Sequence, residues 1–395
     1  MSFNIALSSL QAVTEQLGTI SNNIANAATT GFKSSRTNFG ALYAESQAIG
    51  VEVIGQTQSM TQNGTLSTTG RTLDVAIAGG GFLIMRSGNG EQVFTRAGVL
   101  NTDVNNYLVN ASGFRVQGYP VDADGNLQTG ALGDIQLQNG NLAAKATNSL
   151  AFIANLDANE SVPAVVPFDA ADAESYNSTY TTRVYDSLGI EHTLTQYFVK
   201  TADNQWDAHY YVDGAALGVT QAIEFSTGGV LTTPVGPATV NFTPTGADPM
   251  TVALDYTGST QFGSNFLVTR NAASGYTAGE RTGLAIESNG QIYATYSNGQ
   301  RMLQGQLVLA NFVNLQGLSN AGGTAWTETE DSGAALVGVP GTGQNGSISS
   351  GTLESSNVDL TQQLVGLMEA QRNYQATTRV LSTGKELNQV LFNAI

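Results

Sequence analysis

Two columns of apolar residues run through the first thirty positions. Phe3, Leu10, Leu17 and Ile24 recur every seven residues, with Ala6, Val13, Ile20 and Ala27 as a second column beside them. A seven-residue apolar repeat sustained this long predicts a helix with a narrow seam, as in a coiled coil. The far end of the chain carries the same device. There "SSNVDLTQQLVGLMEAQRNYQ" opens with Ser356 and Asp359 spaced like a capping box. Leu360, Leu367, Tyr374 and Leu381 then repeat every seven, with Leu364 between them. The candidate seam is therefore Phe3, Leu10, Val13, Leu17, Ile20 and Ile24 on one helix, and Leu360, Leu364, Leu367, Tyr374 and Leu381 on the other. The outer face of the first helix is polar yet almost uncharged, Glu15 being the only charge in the first 32 residues. An ordinary surface helix shows charges there, so other protein is expected to cover much of this one.

The pattern changes in the middle of the chain. Runs such as "TLTQYFVK" (193–200) and "LQGQLVLANF" (303–312) read as strands. Hairpin-type turns punctuate them: "DADGN" (122–126), "DSLG" (186–189), "TADNQW" (201–206) and "SNGQ" (288–291 and 297–300). Residues 31–70 and 335–356 show little periodicity and read as connectors, with Gly50, Gly55, Gly64 and Gly70 as candidate hinges. The predicted fold is mainly β and multidomain with α-helical termini, which pair as a coiled coil with nested β-domains inserted between them. Its parts are 1–30 with 357–395, the connectors, a first β-domain of 71–144 with 283–334, and an inserted outer β-domain of 145–282.

Composition narrows the function. With 15 Lys and Arg against 31 Asp and Glu, the net charge is −16, and no basic cluster offers phosphate contacts. Nucleic-acid and anionic-membrane partners are therefore disfavoured. The absence of cysteine removes disulfides, thiolate metal sites and cysteine nucleophiles. No run approaches the roughly 20 apolar residues of a spanning helix, and no cleaved secretory signal is expected.

The chemical motifs are weak. "GTGQNG" (341–346) matches a dinucleotide pattern, but no helix pattern follows it, so no cofactor is expected. "DADGN" begins like a calcium loop, yet the position that requires a bidentate Glu is Gly133. His192 and His209 are the only histidines, and strand geometry separates them, so a shared metal site is not expected. The carboxylate pairs Asp169 with Asp172 and Glu328 with Glu330 lack a partnering base, so an enzyme is not expected.

Longer stretches are more specific. "SNNIANAATTGFKSSRTNF" (21–39), "GRTLDVAIAGGGFLIM" (70–85), "FTRAGVL" (94–100), "YLVNASGFRVQGYPV" (107–121) and "GTLESSNVDLTQQLVGLMEAQRNYQATTRVL" (351–381) resemble, in order, the signatures of the flagellar rod and hook proteins. The inserted unit, with "PFDAADAESYNSTYTTRVYDSLGIEHTLTQYFVK" (167–200), resembles the domain that hook members carry and the shorter distal rod protein lacks. The resemblance implies a structural subunit of the hook, a curved self-polymerising tube that transmits torque outside the cell. It makes the seam a polymerisation seam. The implied partners are copies of the chain, the distal rod, the hook cap, the hook–filament junction protein and the flagellar export apparatus. "FGALY" (39–43) is similar to an export element, with Phe39 and Tyr43 as its apolar residues. The alternatives are the distal rod protein itself and an unrelated secreted β-rich adhesin.

Overall fold

The computed structural model describes residues 2–44, 47–122 and 125–393. The chain forms two compact units. The first comprises Met1–Asn139, Gly283–Thr295 and Arg301–Ile395, the second Gly140–Thr282 with Tyr296–Gln300.

The first unit begins with α1 (Ser2–Ala25) and finishes with α2 (Leu360–Asn393). α1 stops five residues before the expected position 30. The Asn23 side chain, buried at the helix end, donates to the Ser35 carbonyl at 2.8 Å and accepts from the Ser35 N–H at 2.9 Å, tying the helix end to the next strand. Turns then lead to Gly31, whose φ of 71° and close approach to the Arg96–Ala97 backbone leave no room for a Cβ. α2 is capped by Asp359 itself, whose Oδ1 accepts from the Thr361 and Gln362 N–H groups at 2.9 and 3.1 Å. The capping-box reading thus shifts by one role: Asp359 is the N-cap, and its charge faces the positive end of the helix dipole.

The segment expected to be a connector carries a long antiparallel hairpin, β1 (Ser35–Ala44) with β2 (Gln47–Gln58). Bulges at Asn38/Phe39 and Leu42/Tyr43 interrupt its register, which is why no clean alternation marks it in the sequence. The hairpin lies on α1: Thr19 and Thr37 hydroxyls meet at 2.8 Å, and the Val51 N–H donates to Ser8 Oγ at 3.3 Å. Gly64 is a packing glycine rather than a free hinge, because a Cβ there would fall 1.8 Å from the Ser355 carbonyl oxygen. The returning segment is also paired: Ser347–Ser350 joins Val75–Ala78, and Thr352–Glu354 joins Leu66–Thr68.

The β-domain of this unit is built around Phe82–Arg86. Its run of four buried apolar residues marks a strand covered on both faces. Leu83 and Met85 join one core with Val116, Ile135 and Leu307. Phe82 and Ile84 join another with Phe94, Phe312 and Trp326. Successive side chains point to opposite faces, so one strand serves both cores.

The second unit has two five-stranded sheets. An antiparallel meander runs through Ser178–Tyr185, Glu191–Ala202, Gln205–Val212, Ala215–Phe225 and Leu231–Thr233. The other sheet is centred on Ser149–Asp157. Strict alternation in Glu191–Ala202 and Gln205–Val212 sends Leu194, Phe198, Trp206 and Tyr210 into a shared core with Phe152, Val240 and Tyr256. Two buried tyrosines and a glutamine are linked inside it: Tyr210 and Tyr256 hydroxyls meet at 2.9 Å, and Tyr256 donates to Gln196 Oε1 at 2.5 Å. Tyr197 faces His209 across the turn at Asp203–Asn204, the register expected from that turn. The turn at 297–300 also belongs here, since Ser297 N–H donates to the Glu280 carbonyl and Asn298 Nδ2 to the Thr277 carbonyl. In "DADGN", Gly125 takes a φ of 82° and Asp122 Oδ1 accepts from Asn126 N–H, while Asp124 lies outside the described residues.

Candidate assembly surface

In the first unit, three charged residues from distant parts of the chain meet under the terminal helices. Lys33 Nζ donates to Glu354 Oε1 at 2.7 Å and to the Gln62 carbonyl at 2.8 Å. Arg96 donates to Glu354 Oε2 and Asn63 Oδ1, both at 3.2 Å, with its guanidinium over the Phe82 ring. Gly64 N–H adds a bond to Glu354 Oε1 at 3.0 Å, and Gly31 N–H donates to the Glu354 carbonyl at 2.8 Å. Lys33 and Glu354 are each 1% exposed. Burial pushes the Lys33 and Arg96 pKa values down, with Glu354 partly offsetting it in both. Such a cluster persists only when every charge is bonded. Asn357 closes the joint, accepting from Ser34 N–H at 2.7 Å and donating to the Ser59 and Gln62 carbonyls at 3.0 and 2.9 Å.

Above this joint α1 and α2 pack antiparallel. Asn23 near the end of α1 donates to Gln363 Oε1 at 3.1 Å, while Ile5, Ala6 and Ser9 line a groove of about 350 Å³ with Ala376, Thr377 and Val380. Val13 and Ile20 are buried against Ala370, and Leu17, Ile24 and Leu367 pack half-buried around them. Leu10 is half-buried beside Leu42, Val51 and Val53 of the hairpin, and Leu381 is half-buried on α2. Leu360, Leu364 and Tyr374 are exposed. The Phe3 side chain lies outside those described. Ala370 is the one buried residue among the described side chains of α2, while Met368 is 62% and Leu387 65% exposed. The hairpin behaves alike on its outward face, exposing Phe39, Tyr43, Ile49 and Ile54.

Among the described residues no three His, Cys, Asp or Glu side chains are placed to hold a metal, and no helix is long and apolar enough to cross a membrane. The carboxylate pairs serve local turns: Asp169 accepts from Ala171 N–H, Asp172 from Glu174 N–H and Glu328 from Ala335 N–H. What the surface offers is apolar area on two elements held by a buried joint.

Comparison with known proteins places the chain in a family. Four family models match in order: flagella basal body rod protein (3–33), the flagellar hook protein FlgE/F/G D1 domain (76–149), the flagellar basal body protein FlaE D2 domain (155–276) and the flagellar basal body rod FlgEFG protein C-terminal (349–394). The flagellar hook protein FlgE of Salmonella typhimurium is 40% identical over 407 residues, covering 100% of both chains. This chain belongs to the flagellar hook protein family. The FlgE of Escherichia coli K12 is 38% identical, again over 100% of both chains. The Helicobacter pylori flagellar hook protein FlgE2 shares the fold, with a TM-score of 0.59 at 15% identity, covering 73% of this chain and 100% of that one. The family's terminal segments, 3–33 and 349–394, contain Lys33, Glu354 and both helices.

Sequence reasoning missed the joint. A signal was present, because Lys33 is the first basic residue of the chain and Glu354 the sole charged residue between 332 and 358. Opposite charges on otherwise nearly uncharged outgoing and returning segments are compatible with a buried pair. Asn23, Asn357 and Ala370 gave no comparable sign, since polar and small residues abound on both helices.

Proposed function

We propose that this hook-family chain polymerises into a flexible curved tube through α1 and α2, with the outward face of the hairpin adding contacts to neighbouring copies. The observation that carries this reading is the apolar stripe of α2, left open in a subunit whose other cores are closed. Leu360, Leu364 and Tyr374 are then the polymerisation residues proper, while Val13, Leu17, Ile20, Ile24 and Leu367 hold the pair together within one subunit. Exposed leucine is worth about 1.5–3 kcal/mol when covered. Repeated along a helix of about 50 Å, that is enough to drive assembly.

The role is structural rather than catalytic. The first β-domain supplies lateral contacts, and the inserted unit projects outward. The further partners are the distal rod, the hook cap, the hook–filament junction protein and the export apparatus, to which Phe39 and Tyr43, exposed together on β1, would be presented. Electron microscopy of purified chain under assembly conditions tests the reading. Curved tubes are expected; monomers that stay dispersed at high concentration would overturn it.

A further inference from the structure

His192 starts the second unit's strand Glu191–Ala202, where two tight turns lie side by side. Its Nδ1 stands 2.6 Å from Asp213 Oδ2, and its Nε2 stands 3.4 Å from Asp186 Oδ2. Each carboxylate uses its other oxygen to hold backbone. Asp186 Oδ1 accepts from Leu188 N–H at 2.9 Å and Ile190 N–H at 2.8 Å. Asp213 Oδ1 accepts from Thr193 N–H at 2.8 Å and Thr193 Oγ1 at 3.0 Å. We propose that His192, clasped between Asp186 and Asp213, is a proton-operated switch that fixes or releases the two turns at this end of the unit.

Donor count separates the two protonation states of His192. A neutral imidazole carries a single N–H, so it can satisfy one carboxylate while turning a lone pair toward the other. Only the imidazolium bonds both. The remaining surroundings favour the proton or are silent. Phe242, from Ala238–Phe242, presents an uncharged ring edge, and Val184 pairs opposite on Ser178–Tyr185. Arg183 and Glu191 neutralise each other at 3.2 Å, and Asp248 is drawn near by its N–H bond to Ser187 Oγ at 3.1 Å. Partial burial opposes the charge, but the bonds to Asp213 and then Asp186 outweigh it, so the His192 pKa lies above its ordinary value.

The sign follows. A histidine whose folded pKa is raised contributes stability that is complete below its unfolded pKa and lost as pH rises through the folded one. Asp186 and Asp213, whose pKa values bonding lowers despite burial, contribute stability lost as pH falls through their folded values. The clasp is therefore tight between those limits and opens on the alkaline side. If the unit lies among neighbours in a tube, its contact surface there is stiffer below the His192 midpoint than above it.

The second histidine is a built-in control. His209 stacks on Phe168 at 4.3 Å, and burial lowers its pKa, Asp207 offsetting this only in part. Histidine NMR titration of the full-length monomeric chain, assigned with His209→Gln, should place the His192 midpoint above the ordinary 6.5 and that of His209 below it. The Leu188, Ile190 and Thr193 amides, corrected for intrinsic exchange, should lose protection through the His192 midpoint. Asp213→Asn should lower that midpoint, and His192→Gln should abolish the step in protection. A His192 midpoint at or below the ordinary value, or unchanged protection across it, overturns the proposal. Because the readout is monomeric, it stands or falls separately from tube formation.

Discussion

The two ends of this molecule and its inserted sandwich solve opposite problems. In the second unit, Phe152, Phe198, Trp206, Tyr210 and Tyr256 close a core between two sheets, and the two tyrosine hydroxyls inside bond to each other. The α1–α2 contact is centred on a small cluster of Val13, Ile20 and Ala370, and leaves Leu360, Leu364 and Met368 in the open. One region closes its core within a single chain; the other leaves apolar side chains uncovered there. The difference teaches where to look for assembly in a subunit: at the element that is folded yet under-covered. Burial counts for more here than hydrophobicity, since both regions are rich in leucine and valine.

Substitutions can break this contrast in both directions. Trp206→Ala removes a side chain that is fully buried and donates to Gln261 Oε1 at 3.2 Å. It should cost the second unit about 3–5 kcal/mol. Calorimetry should show that unit melting earlier and the first unit unmoved. Glu354→Ala mirrors it, leaving Lys33 and Arg96 buried without their shared carboxylate. The cost should again be about 3–5 kcal/mol, now confined to the first unit. A single cooperative transition shifting in both variants would erase the distinction between the regions.

Smaller changes sharpen it. Leu364→Asp should leave monomer melting unchanged, because the side chain is already exposed. In a tube it would forfeit about 1.5–3 kcal/mol per subunit and bury a charge, so pelleting assays should show no polymer. Normal polymer from this variant would move the seam elsewhere. Asp359→Ala should cost about 1 kcal/mol by uncapping α2. Hydrogen exchange should show faster opening of the first turn of α2, with no effect on the second unit.

How much of this was legible in the chain depended on whether a pattern repeats. The heptad columns announced both helices, and the alternation in 191–212 announced the sandwich strands, because both are periodic responses to a buried face. The hairpin of β1 and β2 was not legible. Its bulges shift the inward face between Thr37 and Leu42, and its outward face carries apolar residues too, so no clean alternation results. The helix end at Ala25 was hidden for a different reason: Asn23 ties that end to Ser35, a tertiary contact no local propensity encodes. Within the candidate surface, Val13 and Ile20 could be read as seam residues, but the sequence gives no way to tell inward leucines from outward ones. Leu367 and Leu364 occupy similar patterns, yet Leu367 packs against α1 and Leu364 is exposed.

The bond between Lys33 and Glu354 spans 321 positions of chain. Closing a flexible loop of that length costs about 5 kcal/mol in chain entropy, before any other ordering. Little of that cost remains once the intervening β-domain and sandwich have folded, because they shorten the free path between the two residues. The joint therefore imposes a sequence of events: the middle condenses first, the two tails are brought together as a result, and only then do α1 and α2 have a common base from which to rise. A chain whose middle is still extended cannot make this bond, so α1 and α2 lack their common base until the intervening β-domains have folded.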